Sequence, residues 1–173
     1  DNCGITTVTY QDVVSGACPM VVTRTWTFTD DVGNSTSCTQ TINIKDTLKP
    51  TGTAPIGTTG INACYVNANV PPVGTPVFDP MIAVAGYSDN CGGTVTAVLT
   101  DTSVSGSSCA WTVTYTFKVI DHCGNELTNQ TIKHSGSDQT KPTFTVPSAT
   151  TIYKNANCNY DASVLQTGDV TDE

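Results

Sequence analysis

Three short runs of residues recur along this chain at nearly constant spacing. Asp1-Asn2-Cys3-Gly4 returns 88 residues later as Asp89-Asn90-Cys91-Gly92. Asp30-Asp31-Val32-Gly33-Asn34 returns after 91 as Asp121-His122-Cys123-Gly124-Asn125. Asp46-Thr47-Leu48-Lys49-Pro50-Thr51 returns after 92 as Asp138-Gln139-Thr140-Lys141-Pro142-Thr143. A period of about 90 residues is the size of a small β-sandwich, so the pattern predicts a row of like modules rather than one large fold. On this reading residues 1–46 are the C-terminal part of one module, 47–137 a complete one and 138–173 the N-terminal part of a third. A partial sandwich would expose core and sheet edge, so the two outer pieces are not expected to fold alone.

Within the period the strand signal is strong. From Trp111 to Val119 each odd position is large and apolar and each even one is Thr or Lys, a period of two with one face buried and one wet. Val22 to Thr29 is its counterpart, with Val22, Trp26 and Phe28 facing in. Arg24 stands where Tyr115 does, its stem expected over the sheet edge and its head in water. Gly33-Asn34 and Gly124-Asn125 follow as hairpin turns, leading to strands from Thr39 to Ile44 and from Gln130 to Lys133. Strands from Thr6 to Tyr10 and Val95 to Thr100 come before, closed by Asp12 and Asp101. The Pro- and Gly-rich stretch between Pro50 and Pro80 reads as short edge strands and turns. No segment has a 3.6-residue apolar period. The expected fold is all-β, tandem immunoglobulin-like sandwiches of about seven strands joined by stiff Lys-Pro linkers.

The chain carries a net charge of −8. Such a surface repels phosphate backbones and anionic lipid, which argues against nucleic acid as a partner. No apolar run approaches the ~20 residues that span a bilayer, so membrane insertion is not expected. Eight cysteines without a C-x-x-C pair read as a disulfide framework rather than a zinc or thioredoxin-like site, and so imply an oxidising, extracellular setting. Aligning the modules keeps three cysteine slots fixed while the fourth moves between Cys38 and Cys123. A bond with one mobile end would give Cys3–Cys38 and Cys91–Cys123, leaving Cys64–Cys109 by elimination. The four cysteines of the middle module allow three connectivities, of which this is one. Self-contained modules are expected to have no bond across a Lys-Pro linker.

Catalytic chemistry is not apparent. His122 and Cys123 are adjacent, so in an extended segment they point to opposite faces and cannot form a nucleophile–base pair. No phosphate-binding Gly loop, nucleophile elbow or His-x-x-x-His spacing is present. Trp26, Trp111, Tyr115 and Phe117 alternate with Thr and read as core rather than a sugar platform. Tyr65, Tyr87 and Tyr153 lie outside clear strands, where they could be exposed. Asp30, Asp31, Asp46, Asp89, Asp121 and Asp138 lie in turns or linkers. They could cap those turns, or offer hard oxygen ligands for Ca²⁺ near the module junctions.

Taken together, Asp-Asn-Cys-Gly, the aromatic strand, Asp-x-Cys/Val-Gly-Asn, Cys-x-Gln-Thr-Ile and Asp-Thr-x-x-Pro resemble the HYR-type, immunoglobulin-like repeat. The likeness is greatest to the tandem repeats of very large Bacteroidetes surface adhesins of the SprB gliding-motility type. That resemblance implies export by the type IX secretion system, display as a long filament, and partners among neighbouring repeats, surface polysaccharide or the secretion and motility machinery. Asp46-Thr47-Leu48 resembles the short O-glycosylation motif of that phylum, with Thr47 as acceptor. Asn34-Ser35-Thr36 and Asn129-Gln130-Thr131 are N-glycosylation sequons, relevant only in a eukaryotic host. The expected role is a non-catalytic stalk segment of a cell-surface adhesin; a carbohydrate- or protein-binding module of a secreted protein is the alternative.

Overall fold

The computed structural model describes residues 4–146, 148, 149, 151, 153–158, 170 and 171. It is mostly β. Strands β1 (Ile5–Ser15), β2 (Met20–Asp30) and β3 (Ser35–Ile44) form an antiparallel meander in that order. After the linker come β4 (Thr51–Gly52), β5 (Ile61–Asn62), the single-turn helix α1 (Pro80–Ala83) and β6 (Tyr87–Ser88). A second meander follows, β7 (Thr96–Ser107), β8 (Ala110–Ile120) and β9 (Glu126–Ser137), widened by β5 running parallel to β9. A two-residue pair, β10 (Thr143–Phe144) with β11 (Val170–Thr171), lies beyond.

The alternation in β8 does what its period requires. Trp111, Val113, Tyr115, Phe117 and Val119 are all buried. The residues between β4 and β6 cover this face, forming an irregular layer that meets two packed clusters. Phe117 and Val119 pack with Ala83, Tyr87, Ala97 and Ile132. Trp111, Val113 and Tyr115 pack with Val104 and with Ile61, Ala63 and Tyr65 from the cover. The covering segment is held by side chains of the sheet that reach its backbone. Trp111 Nε1 donates to Ala63 O at 2.7 Å, and Tyr115 Oη donates to Pro76 O at 3.0 Å. Gly136 lies between Ile61 O and the Trp111 indole, where any Cβ would collide with both.

The first sheet has the same pattern without the cover. Val22 is buried and Trp26 and Phe28 are half-buried, but Val8, Tyr10 and Val14 beside them are more than half exposed. Arg24 lies at the solvent surface as expected, with an added partner. Its guanidinium forks onto Asp12 with two 2.8 Å bonds and lies 4.1 Å from the centre of the Tyr10 ring. The head is thus paired across the β1–β2 ladder while still reaching water.

Other expectations are revised. β1 and β7 continue past Asp12 and Asp101, because both residues are accommodated within the ladders. β3 and β9 begin soon after their turns, earlier than Thr39 and Gln130. α1 is short but real, its N-terminus capped by Asp79, whose Oδ1 accepts from Met81 N. Tyr87 is buried, and its hydroxyl donates to Gln130 Oε1 at 2.8 Å. Tyr65 packs against the core, whereas Tyr153 is exposed. No helix among the described residues is long and apolar enough to cross a membrane.

Candidate functional site at the junction of the two sheets

The end of the first sheet that carries the β1–β2 turn meets the end of the second that carries the β8–β9 turn. Met20 pairs with Ile44 at this end of the first sheet, and the linker leaves from there. Cys18, in the β1–β2 turn, is bonded to Cys123, in the β8–β9 turn, with Cα atoms 5.2 Å apart. The bond closes a loop of 105 residues and crosses the Lys-Pro linker.

This arrangement overturns the expected Cys91–Cys123 bond, because Cys18 takes Cys123 and leaves Cys91 a free thiol on the wall of the same groove. Cys64 and Cys109 are also free thiols. They flank the end of β9: Ala63 N donates to Ser137 O on one side, and Asp138 N donates to Ser108 O on the other. The strand runs between them. Cys38 is a free, exposed thiol in the middle of β3 opposite Trp26, not at a hairpin tip, so it does not share the setting of Cys123. Its expected partner Cys3 lies outside the described residues.

The β8–β9 turn is built by Asp121. Its Oδ1 accepts from Cys123 N at 2.7 Å and Asn125 N at 2.9 Å, and its Oδ2 accepts from Asn125 Nδ2 at 2.8 Å. Gly124 follows the αL geometry such a turn needs, with φ +85°. Burial works to raise the carboxyl's pKa, but the hydrogen bonds from Asn125, Cys123 and Gly124 outweigh it and hold the group below its usual range. The β2–β3 turn repeats this construction. Asp30 Oδ1 accepts from Val32 N and Asn34 N, and Oδ2 from Asn34 Nδ2. There the Asn34 side-chain bond is the main cause of a lowered Asp30 pKa. The Asp-x-x-Gly-Asn motif is therefore a self-capped turn. At the junction it has an added use, since Asn125 Nδ2 also donates to Asp46 O in the linker at 3.4 Å.

Beside the disulfide lies an open groove of about 570 Å³. Met20 and Ile44 form its apolar side and Asp46, Cys91, His122 and Cys123 its other side. Asp46 comes from the linker, and Asp89 and Cys91 from the loop before β7. Ligand-type atoms of these three residues lie within 4.8 Å of one another. Each carboxylate keeps one oxygen in a local turn: Asp46 Oδ1 accepts from Leu48 N, and Asp89 Oδ2 from Cys91 N. The other two oxygens, Asp46 Oδ2 and Asp89 Oδ1, are sealed from solvent and accept from no N–H or O–H group. Desolvation pushes the Cys91 thiol up, and the charge of Asp46, a side-chain hydrogen bond between Cys91 and Asp46, and the charge of Asp89 push it the same way.

Of the acidic residues named from sequence, the structure thus brings Asp46 and Asp89 together and puts Asp121 into the turn that holds the linker. Asp30 is occupied in its own turn and Asp31 is exposed beside it. Asp138 Oδ1 accepts from Thr140 N at the far end of the second sheet. Thr47, the glycosylation candidate, is exposed.

The two histidines differ in setting, His122 on the groove wall and His134 under the cover of the second sheet. His122 is exposed. His134 is buried, its Nδ1 accepts from Thr58 N at 2.9 Å, and its ring stands edge-on to Tyr115. What sequence reasoning missed is the pairing of Cys18 and the closeness of Cys91 to Asp46. The recurrence of Asp-Asn-Cys-Gly marked the loop but not what faces it. Compared with protein-family models, curated proteins and solved structures, the chain matches none.

Proposed function

We propose that this chain is a stretch of structural stalk from a secreted cell-surface adhesin, made of like immunoglobulin-type modules in a row and without catalysis. The observation that carries the reading is the turn built twice, Asp30 with Asn34 and Asp121 with Asn125, at the same place in two antiparallel meanders. The same hydrogen bonds at a 91-residue interval support modules of one kind, with boundaries at residues 46–47 and 137–138. The uncovered face of the first sheet fits this too, since its counterpart in the second sheet is the one the irregular layer covers. The HYR-type resemblance supplies the setting: an extracellular filament of the gliding-adhesin kind, exported by type IX secretion, with surface polysaccharide or motility machinery as partners.

The Cys18–Cys123 bond changes the mechanics of the proposal. Independent beads on flexible joints would give reach with little resistance to bending. A covalent tie across the linker, with Asn125 holding the linker backbone, makes the joint stiff and routes tension past the folded residues between the two cysteines.

The second reading, a carbohydrate- or protein-binding module, is favoured by the junction groove. Its lining among the described residues has no Trp, Tyr or Phe ring on which a sugar could stack, which weighs toward the stalk. Labelling intact source cells with an antibody raised against this chain tests the proposal. Staining of unpermeabilised cells along extended surface structures is the expected result. Staining only after permeabilisation would overturn it.

A further inference from the structure

We infer that the open face of the first sheet is a docking site for a second copy of this chain, which lays its residues 138–173 across it head to tail. Along β2 that face carries Val22, Trp26 and Phe28, and opposite them in β1 stand Val14, Tyr10 and Val8, each more than half exposed. The other face of β2 presents Thr23, Thr25, Thr27 and Thr29. One side of the sheet is thus apolar and the other polar, and the apolar side has no cover among the described residues. Apolar surface left open in this way marks an interaction site.

The second sheet indicates what kind of segment fits. There the matching face is covered by the Pro- and Gly-rich residues between β4 and β6, with Ile61, Ala63 and Tyr65 packed on Trp111, Val113 and Tyr115. At the 91-residue offset of the turns, Met20, Val22 and Arg24 hold the places of those three sheet residues. Val14 faces Val22 as Val104 faces Val113. One other stretch of the chain is written like the cover. Lys49-Pro50-Thr51 and Pro55 return 92 residues later as Lys141-Pro142-Thr143 and Pro147. Cys64 returns after 94 as Cys158, and Asn67-Ala68-Asn69-Val70 as Asp161-Ala162-Ser163-Val164. Tyr153 stands 92 residues after Ile61 and is 87% exposed, and Phe144 and Val146 before it are exposed too. Face and segment are the two halves of a pair that is already joined around the second sheet.

Arg24 suits the same arrangement. Tyr115, at its place in β8, donates to the cover at Pro76 O. Arg24 gives Nε and Nη2 to Asp12, so Nη1 is left to donate to the backbone of a covering segment. Because face and segment lie in different parts of the chain, the contact is heterologous. Each copy offers one of each, and copies add in a row or close into a ring. The inference rests on the reading of the two sheets as like modules and adds that a module can be completed between chains.

The test is sedimentation velocity of the oxidised 173-residue chain over about a hundredfold range around micromolar concentration, the weak end for interfaces of ordinary size. The expected result is growth past the dimer as concentration rises. Val8→Asp on the face and Tyr153→Asp on the segment should each weaken association about tenfold or more, since each puts a charge into the apolar contact. Ile56→Asp, a like change at a 98% exposed position of the cover, should leave it unchanged. Mixing the Val8→Asp and Tyr153→Asp chains should restore one contact and stop at a 1:1 dimer, because each lacks a different half. Circular dichroism checks that the variants are folded, and Val14→Asp takes the place of Val8→Asp if that chain is not. A monomer at every concentration would overturn the inference. So would association that Val8→Asp abolishes and Tyr153→Asp leaves intact, the result of two open faces packed on each other. Labelling of intact cells decides the stalk reading separately, so failure of one is distinguishable from failure of the other.

Discussion

Asp121 and Asn125 make the same hydrogen bonds to each other that Asp30 and Asn34 make 91 residues earlier, yet only Asn125 also reaches the linker. The same turn thus has a heavier duty in the second sheet. Asp121→Ala is expected to lower Tm more than Asp30→Ala, because it releases both the turn and the hold on Asp46 O. Thermal unfolding of the two variants side by side checks the order.

The acidic side of the stability profile follows from the same groups. The folded pKa values of Asp12, Asp30 and Asp121 are all lowered, so the stability they contribute is complete above the unfolded value of 3.8 and is lost as pH falls through the folded values. His134 is also lowered, by desolvation, from 6.5. Its contribution is complete above pH 6.5 and is lost as pH falls below that value toward its folded pKa. Denaturant unfolding between pH 8 and 2 should show two declines. His134→Asn, which keeps an acceptor for Thr58 N–H, should remove the upper one and leave the lower.

Trp111 is the core residue with most to lose. It is 2% exposed and its indole N–H is the donor to Ala63 O. Trp111→Ala should cost about 3–5 kcal/mol, the usual range for deleting a buried aromatic side chain. Trp111→Phe should cost about 1–3 kcal/mol, chiefly by leaving a buried carbonyl without its donor. Trp26→Ala, on the uncovered sheet, should cost less than Trp111→Ala. Urea titration of the three variants gives the comparison.

How much of this was legible in the sequence depended on whether the information was local. Strand alternation is local: Trp111 to Val119 announces its inner face, and β8 buries all five of those side chains. Turn chemistry is local too, since Asp121, Gly124 and Asn125 sit within five positions. The length of β1 and β7 was missed because Asp12 and Asp101 look like terminators. One is paired with an arginine on the next strand and the other follows a bulge at Thr100, neither of which adjacent residues reveal. The disulfide was missed for a related reason. Aligning the recurring segments compares like with like and says nothing about how the β1–β2 turn meets the β8–β9 turn. Cys18 and Cys123 meet only because the two sheets stack end to end at the linker.

The cross-link has a mechanical signature. When the chain is pulled from its ends, the segment between Cys18 and Cys123, which lie 105 positions apart, cannot extend while the bond is intact. At about 3.3–3.6 Å per residue, reduction should release roughly 350 Å of additional contour length. Single-molecule pulling with and without reductant checks this, and Cys18→Ser should release that length without reductant.

The central claim, a covalent joint between the two sheets, is tested most directly by non-reducing peptide mapping of the oxidised chain. Trypsin separates Cys18, on the peptide ending at Arg24, from Cys123, on the peptide ending at Lys133, and from Cys91 between them. The account predicts the Cys18 and Cys123 peptides linked to each other, with Cys91 open to alkylation. Cys123 linked to Cys91, with Cys18 alkylated, would contradict it.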